Sequence, residues 1–146
     1  TLKGRYYMFR RGFFVAESPS GVWGYVQSCR WNLEAGDFET FEQIKDFPRH
    51  HKDDGKNLYV IFMAVDSKYR KYGTALKLAS GLYDYSRENG LSKIQAVAGQ
   101  AKGQEHLVGF YLALGMEQIR EMPNFLPDNP PGIFMEINVS PMNQNV

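Results

Sequence analysis

"LYVIFMAVDSKYRKYGTALKL", Leu58 to Leu78, joins an unbroken apolar run to a segment with helical spacing through a basic turn that contains Gly73. The run Leu58–Val65 is continuous rather than alternating, which suits a central strand covered on both faces. Ala75, Leu76, Ala79, Leu82 and Tyr83 then follow the i, i+3, i+4, i+7 rule, and Asn89-Gly90 offers a left-handed C-cap. A helix is therefore predicted from Thr74 to Asn89. If the strand ends near Asp66, the residues Arg70 to Ala75 present successive backbone N–H groups at a helix N-terminus, where orphan donors and the macrodipole attract an anion. Gly73 lets a ligand approach the backbone, Ala75 keeps the helix start slim, and Lys68, Arg70 and Lys71 add positive charge. A pyrophosphate fits such a turn. A solvated loop whose glycine merely permits the turn fits it as well.

The flanking sequence supplies the rest of a sheet. "GFFVAES" and "GVWGYVQSCRW" flank the turn-forming "PSG" and read as an antiparallel hairpin. From Asn32 to Asn57 the chain becomes strongly charged, with a short helix predicted at Glu39 to Asp46, and long connections of this kind often carry function. Beyond the central helix come "SKIQAVA" as a strand, "EHLVGFYLALG" as a second helix ending on Gly115, and two strands, "MEQIREM" and "IFMEINV". The last two are joined by "PNFLPDNPPG", whose four prolines stiffen it. Strand, helix, strand, helix order predicts an α/β domain with parallel pairing at its centre. One domain over 1–146 is expected, with a frayed tail at 140–146.

Composition narrows the function. Seventeen basic against sixteen acidic residues give a net charge of +1, so the chain lacks the overall basicity of a general nucleic-acid binder. The single cysteine, Cys29, cannot form an internal disulfide, and no cysteine and histidine spacing resembles a zinc site; a reducing, cytoplasmic setting is expected, with no metal and with Cys29 as a core packer. Leu58–Val65 falls far short of the roughly 20 residues needed to cross a bilayer, and "TLKGRYY" is no signal peptide, so no membrane partner is expected.

Two motifs carry a family resemblance. Val65, Tyr69, Arg70, Gly73, Ala75 and Leu78 occupy the places of the acetyl-CoA pyrophosphate signature, with Ser67 for its common proline and Lys71 for a frequent glycine. Downstream, "GQEHLVGFYLALGM" keeps the motif residues Phe110, Tyr111 and Gly115, with Gln104 at an asparagine position and Met116 at a final aromatic one. In order and on the expected elements, the pair resembles the GNAT superfamily of acetyl-CoA-dependent N-acetyltransferases from about Gly12 to Val139.

That resemblance implies a mixed central sheet of about six strands with a parallel, splayed pair in the middle and flanking helices, its N-terminal strand and helices being short or missing here. It implies acetyl-CoA as co-substrate: Met63, Ala64 and Val65 would hydrogen-bond its pantetheine arm, and Arg70, Lys71, Tyr72, Gly73, Thr74 and Ala75 would hold its diphosphate, with Gln104 a further contact. A backbone N–H near Val65 would hold the oxyanion as a primary amine, of a small molecule or of a protein or peptide, attacks the thioester directly. Tyr111 matches the tyrosine that protonates the departing thiolate. By periodicity alone Leu107, Tyr111 and Leu114 share one helical face, where a tyrosine is a core ring. Many relatives place a glutamate on or beside the central strand as base, and "LYVIFMAV" contains none. His50, His51, Asp53, Asp54, Glu39 and Glu121 are the alternatives, beside a water chain, and the base stays unassigned. A homodimer is raised by the resemblance only, and a non-catalytic acyl-CoA-binding or interaction module of the same fold is the second reading.

Overall fold

The computed structural model describes residues 12–19, 21–68 and 73–139. They form one six-stranded sheet of order β1-β2-β3-β4-β6-β5. Its strands are β1 (Phe13–Ser18), β2 (Gly21–Trp31), β3 (Asn57–Val65), β4 (Lys93–Ala98), β5 (Glu117–Met122) and β6 (Gly132–Asn138). Every neighbouring pair is antiparallel except β3 with β4, as the sequence order predicts. The helices are α1 (Phe41–Ile44), α2 (Phe47–His50), α3 (Thr74–Glu88) and α4 (Leu107–Ala113).

The parallel pairing is short. β3 and β4 share a ladder only at Asn57↔Lys93, Leu58↔Ile94 and Tyr59↔Gln95, although β3 continues to Val65 and β4 to Ala98. The cause lies on the other edge of β3. Its register with β2 jumps from Ser28↔Val60 to Gln27↔Phe62, so Ile61 is an extra residue. Such a bulge bends its strand and increases the local twist, which turns the second half of β3 away from β4. The predicted splay is thus present, and it opens toward the C-terminal ends of both strands.

α3 begins and ends as its sequence dictates. Its N-cap Gly73 has φ 72°, a left-handed conformation that favours glycine, and contributes no side-chain cap. At the other end Gly90 has φ 67°, while Leu91 donates its N–H to the Ser86 carbonyl at 2.9 Å. Leu78, Ala79, Leu82 and Tyr85 are buried against the sheet with Val26, Leu58, Val60 and Ile94. Truncating Leu82 to alanine at such a site costs about 2–5 kcal/mol. α4 covers the same face through Tyr111, but it starts at Leu107, two residues later than its sequence pattern suggests.

The connection after β2 behaves unlike its charge. Thr40 and Gln43 form a reciprocal capping box that starts α1, and Pro48 lies in the first turn of α2. Phe38, Ile44 and Phe47 are buried with Cys29, Trp31, Tyr59, Met122, Phe125 and Phe134, forming a second core on the sheet face opposite α3 and α4. Trp31 stacks on Tyr59 at 4.3 Å between centroids. Below these rings Gln95 accepts from Trp31 Nε1 at 2.7 Å and donates to the Leu33 carbonyl at 2.9 Å, so a fully buried amide is satisfied at both ends. Apolar side chains at a few positions fix this segment, and its charged residues cover the outside.

Candidate functional site

Where β3 and β4 part, the helix face of the sheet carries a small slot that reaches back over the laddered residue Ile94. Val60 and Met63 of β3 form one wall, Ile94, Met116 and Ile137 the other, and Ala79, Leu82 and Tyr83 of α3 with Tyr111 and Leu114 of α4 close it above. The surface of the lining is wholly apolar. Tyr83 donates its hydroxyl to the Leu114 carbonyl at 3.2 Å, tying the two helices together across the slot.

Tyr111 is buried at 6% exposure, packed between the strands and Phe110. Burial pushes its hydroxyl up to about 12, because a phenolate there would lose its hydration. At neutral pH Tyr111 is therefore a proton donor. Tyr59, at the closed end on the opposite face, is raised further by burial, with Cys29 and Tyr111 as smaller influences. Neither ring accepts a proton near neutrality.

At the open end the backbone presents a different chemistry. Met63, Ala64 and Val65 run along the diverging half of β3, and side-chain alternation puts Met63 and Val65 on the helix face with the larger core. Gly24 is paired with Val65, and a Cβ there would meet the Ala64 carbonyl oxygen at 2.6 Å, so β2 approaches this half of β3 as only glycine allows. Gly73, Thr74 and Ala75 start α3 immediately after the turn that leaves β3, with the first intrahelical bond running from Lys77 N–H to the Gly73 carbonyl at 3.1 Å. The start of a long helix thus stands beside the open end of a splayed strand pair. Arg70, Lys71 and Tyr72 lie outside the described residues, as does Tyr69.

Gln104 does not reach the slot. Its side-chain oxygen accepts from Ala101 N–H at 3.3 Å and is held against Gly99, in a separate hollow formed with Phe125, Leu126 and Gly132. Of the alternatives for a base, His51 accepts from Arg30 N–H at 3.1 Å and sits 3.0 Å from Asp53. Because Arg30 pairs with Leu58, this histidine and its neighbours His50, Asp53 and Asp54 belong to the closed end, roughly 23 Å of strand from Val65. Glu39 is bound by Arg120, whose guanidinium holds it below the usual carboxylate range. Glu121 is exposed and pairs with Ile133, which in turn pairs with Ala98, so it projects on the helix face two strands from the slot. His106 is exposed at the start of α4 and caps nothing with its ring. Among the described residues no cluster of histidine, cysteine or carboxylate could hold a metal, and no helix is long and apolar enough to cross a membrane.

The sequence profile of the Acetyltransferase (GNAT) family matches residues 5–116. The chain belongs to the GNAT family. Solved structures agree on the GNAT fold. The loading GNATL domain of CurA from Lyngbya majuscula is 18% identical with a TM-score of 0.78, the match covering 94% of this chain and 81% of that one. GphF, a GNAT-like decarboxylase solved with isobutyryl-CoA, is 16% identical with a TM-score of 0.78, over 95% and 84%. Naa20 of Chaetomium thermophilum, solved with a bisubstrate analogue, is 15% identical with a TM-score of 0.70, over 94% and 71%. No curated protein sequence matches the chain. The GNAT fold accounts for the mixed sheet and its single parallel pair.

Proposed function

We propose that this GNAT chain is an N-acetyltransferase that moves the acetyl group of acetyl-CoA to a primary amine of a small molecule, protein or peptide by direct attack. The observation that carries the reading is the parting of β3 from β4 beside an apolar slot lined by Met63 of β3 and by a buried, protonated Tyr111. The diphosphate would lie on the backbone N–H groups of Gly73, Thr74 and Ala75 with Arg70, Lys71 and Tyr72 beside them, where the helix dipole favours an anion. The pantetheine arm would run along Met63, Ala64 and Val65 as an added strand does, exchanging amide hydrogen bonds with the diverging backbone.

Attack of the amine nitrogen on the thioester carbonyl forms the C–N bond and places negative charge on oxygen, which a backbone N–H near Val65 would stabilise. Collapse breaks the C–S bond, and Tyr111 donates its proton to the leaving sulfur, whose pKa of about 8 to 9 by analogy with cysteine makes an unassisted thiolate a slower leaving group. The ammonium proton, passed on through water, restores Tyr111 to its protonated form. The GNAT-like GphF, solved with isobutyryl-CoA, supports a CoA thioester as donor.

A non-catalytic acyl-CoA-binding module is the second reading, favoured by a slot in which no described carboxylate or imidazole takes part. Calorimetric titration with acetyl-CoA followed by thiol release over a panel of amines separates the two. Binding with release establishes the transferase, binding without release from any acceptor establishes the module, and absence of binding contradicts both.

A further inference from the structure

Resting on the transferase reading with Tyr111 as proton donor, we infer that Tyr83 is the positioning residue for that donor. Its hydroxyl, bound to the Leu114 carbonyl, holds α4 where the Tyr111 hydroxyl meets the thioester sulfur.

α4 has little of its own to fix it. It is seven residues long, far below the roughly 12–15 at which a helix is even marginally stable alone, so its place depends on what it touches. His106 at its N-cap supplies no side-chain hydrogen bond, Gly109 lies exposed in its middle, and Leu112 is 46% exposed. Tyr111 is its one buried residue. At the C-terminal end the carbonyls of Phe110, Tyr111 and Leu112 accept from Leu114, Met116 and Gly115 N–H, all within the same stretch of chain. The carbonyl of Leu114, the C-cap, takes its partner from another helix, the Tyr83 hydroxyl at 3.2 Å. Among the described residues no other side-chain hydrogen bond reaches Leu107 to Leu114. Leu114 stands one turn beyond Tyr111 on the same face, and both line the slot with Tyr83. A shift of the Leu114 end therefore moves the Tyr111 ring.

α3 is the steadier partner. It has 15 residues and is seated on the sheet through Leu78, Leu82 and Tyr85. Its start, at Gly73, is the proposed diphosphate site, and Tyr83 stands about 15 Å further along its axis. One helix thus sets the anion end of the donor molecule and, through Tyr83, the place of the proton donor at the thioester end. The two tyrosines divide the work. A phenol has a single O–H to give, and that of Tyr83, kept protonated by burial, is committed to the Leu114 carbonyl. The leaving sulfur is left to Tyr111.

The test compares the parent chain with Tyr83→Phe, Tyr111→Phe and the double variant. Acetyl-CoA is the donor, and the amine panel includes spermidine and a peptide with a free amino terminus and one lysine. Tyr83→Phe keeps the ring and removes the tie. Its kcat should fall about tenfold while KM for acetyl-CoA stays within about twofold of the parent, because a misplacement of ~1 Å is enough to disable a positioned group. In the Tyr111→Phe background the same change should cost nothing further, since the group it positions is gone. Without any ligand, hydrogen exchange should quicken at the Leu114 to Met116 amides and stay as it was in β4. Full turnover of Tyr83→Phe, or an equal loss in both backgrounds, overturns the inference and leaves the transferase intact. Unchanged exchange at the end of α4 overturns it too, whichever amine is the true acceptor. Undiminished turnover in Tyr111→Phe removes the proton-donor reading and this inference with it, and so does a parent chain that releases thiol with no amine of the panel.

Discussion

Tyr59 and Gln95 are the last partners in the parallel ladder between β3 and β4, and each is anchored on the face away from the helices: Tyr59 by stacking on Trp31, Gln95 by hydrogen bonds to Trp31 and Leu33. The point at which the strands part is therefore set by a buried polar and aromatic cluster, while the bulge at Ile61 sets how sharply β3 turns away. A slot built in this way has a fixed inner end. Whatever enters it must stop near Tyr111.

Replacing Gln95 by leucine should test that anchor. The substitution leaves Trp31 Nε1 and the Leu33 carbonyl without their shared partner in a dry site, and each buried orphan costs about 1–3 kcal/mol. Denaturant unfolding should show a loss of about 2–4 kcal/mol, and the Trp31 fluorescence should change. Unaltered stability would mean that the amide is dispensable to the closed end.

Gly73→Glu places a negative side chain at the start of α3 and a Cβ on a residue with φ 72°, a conformation that costs an L-residue of order 1 kcal/mol. The fold should survive with a slightly lower melting temperature. Acetyl-CoA affinity measured by calorimetry should fall by at least about tenfold, since repulsion replaces the anion-favouring field of the helix terminus. Unchanged affinity would take the diphosphate away from this turn.

Tyr111→Phe keeps the ring in its packing and removes one hydroxyl. Turnover should fall by about 10²-fold or more with cofactor affinity retained, as expected when a proton donor used only in the transition state is lost. A parallel loss of affinity and turnover would point to packing as the residue's whole role.

The same residue governs alkaline stability. Its pKa is raised from 10.0 to about 12 in the folded chain, so the folded state holds the proton more tightly than the unfolded one. The associated stability, about 3 kcal/mol, is fully present below pH 10 and is lost as pH rises from about 10 to 12. Tyr59 acts in the same direction. Unfolding followed by tyrosinate absorbance should be cooperative over this window, and Tyr111→Phe should move its midpoint upward.

Much of this arrangement is legible in the sequence because it rests on local rules. Continuous apolar character marks β3, period and cap mark α3 to within a residue at each end, and Pro-rich "PNFLPDNPPG" marks the connection between the last two strands. The two motifs locate the helix start and Tyr111. The second core is harder to see: Phe38, Ile44 and Phe47 are scattered among charges with no sustained period, and only the sheet face brings them together. The bulge at Ile61 carries no local signature in "YVIFM", because it is a mismatch of register between two strands distant in sequence. The position of the "RHHKDD" candidates is illegible for a related reason. Proximity along the chain to β3 puts those side chains at its first residue, and the reactive end is its last. Gln104, read by motif position, has its amide turned back onto Gly99 and Ala101 and does not line the slot.

The central claim is that a CoA thioester fills the gap between β3 and β4 with its sulfur at Tyr111. A crystal structure of the chain with acetyl-CoA tests it most directly. The account predicts the pantetheine hydrogen-bonded along Met63–Val65, the diphosphate at Gly73–Ala75, and the sulfur within hydrogen-bond reach of the Tyr111 hydroxyl. A thioester lodged elsewhere, with the slot still closed around Tyr111, would contradict it.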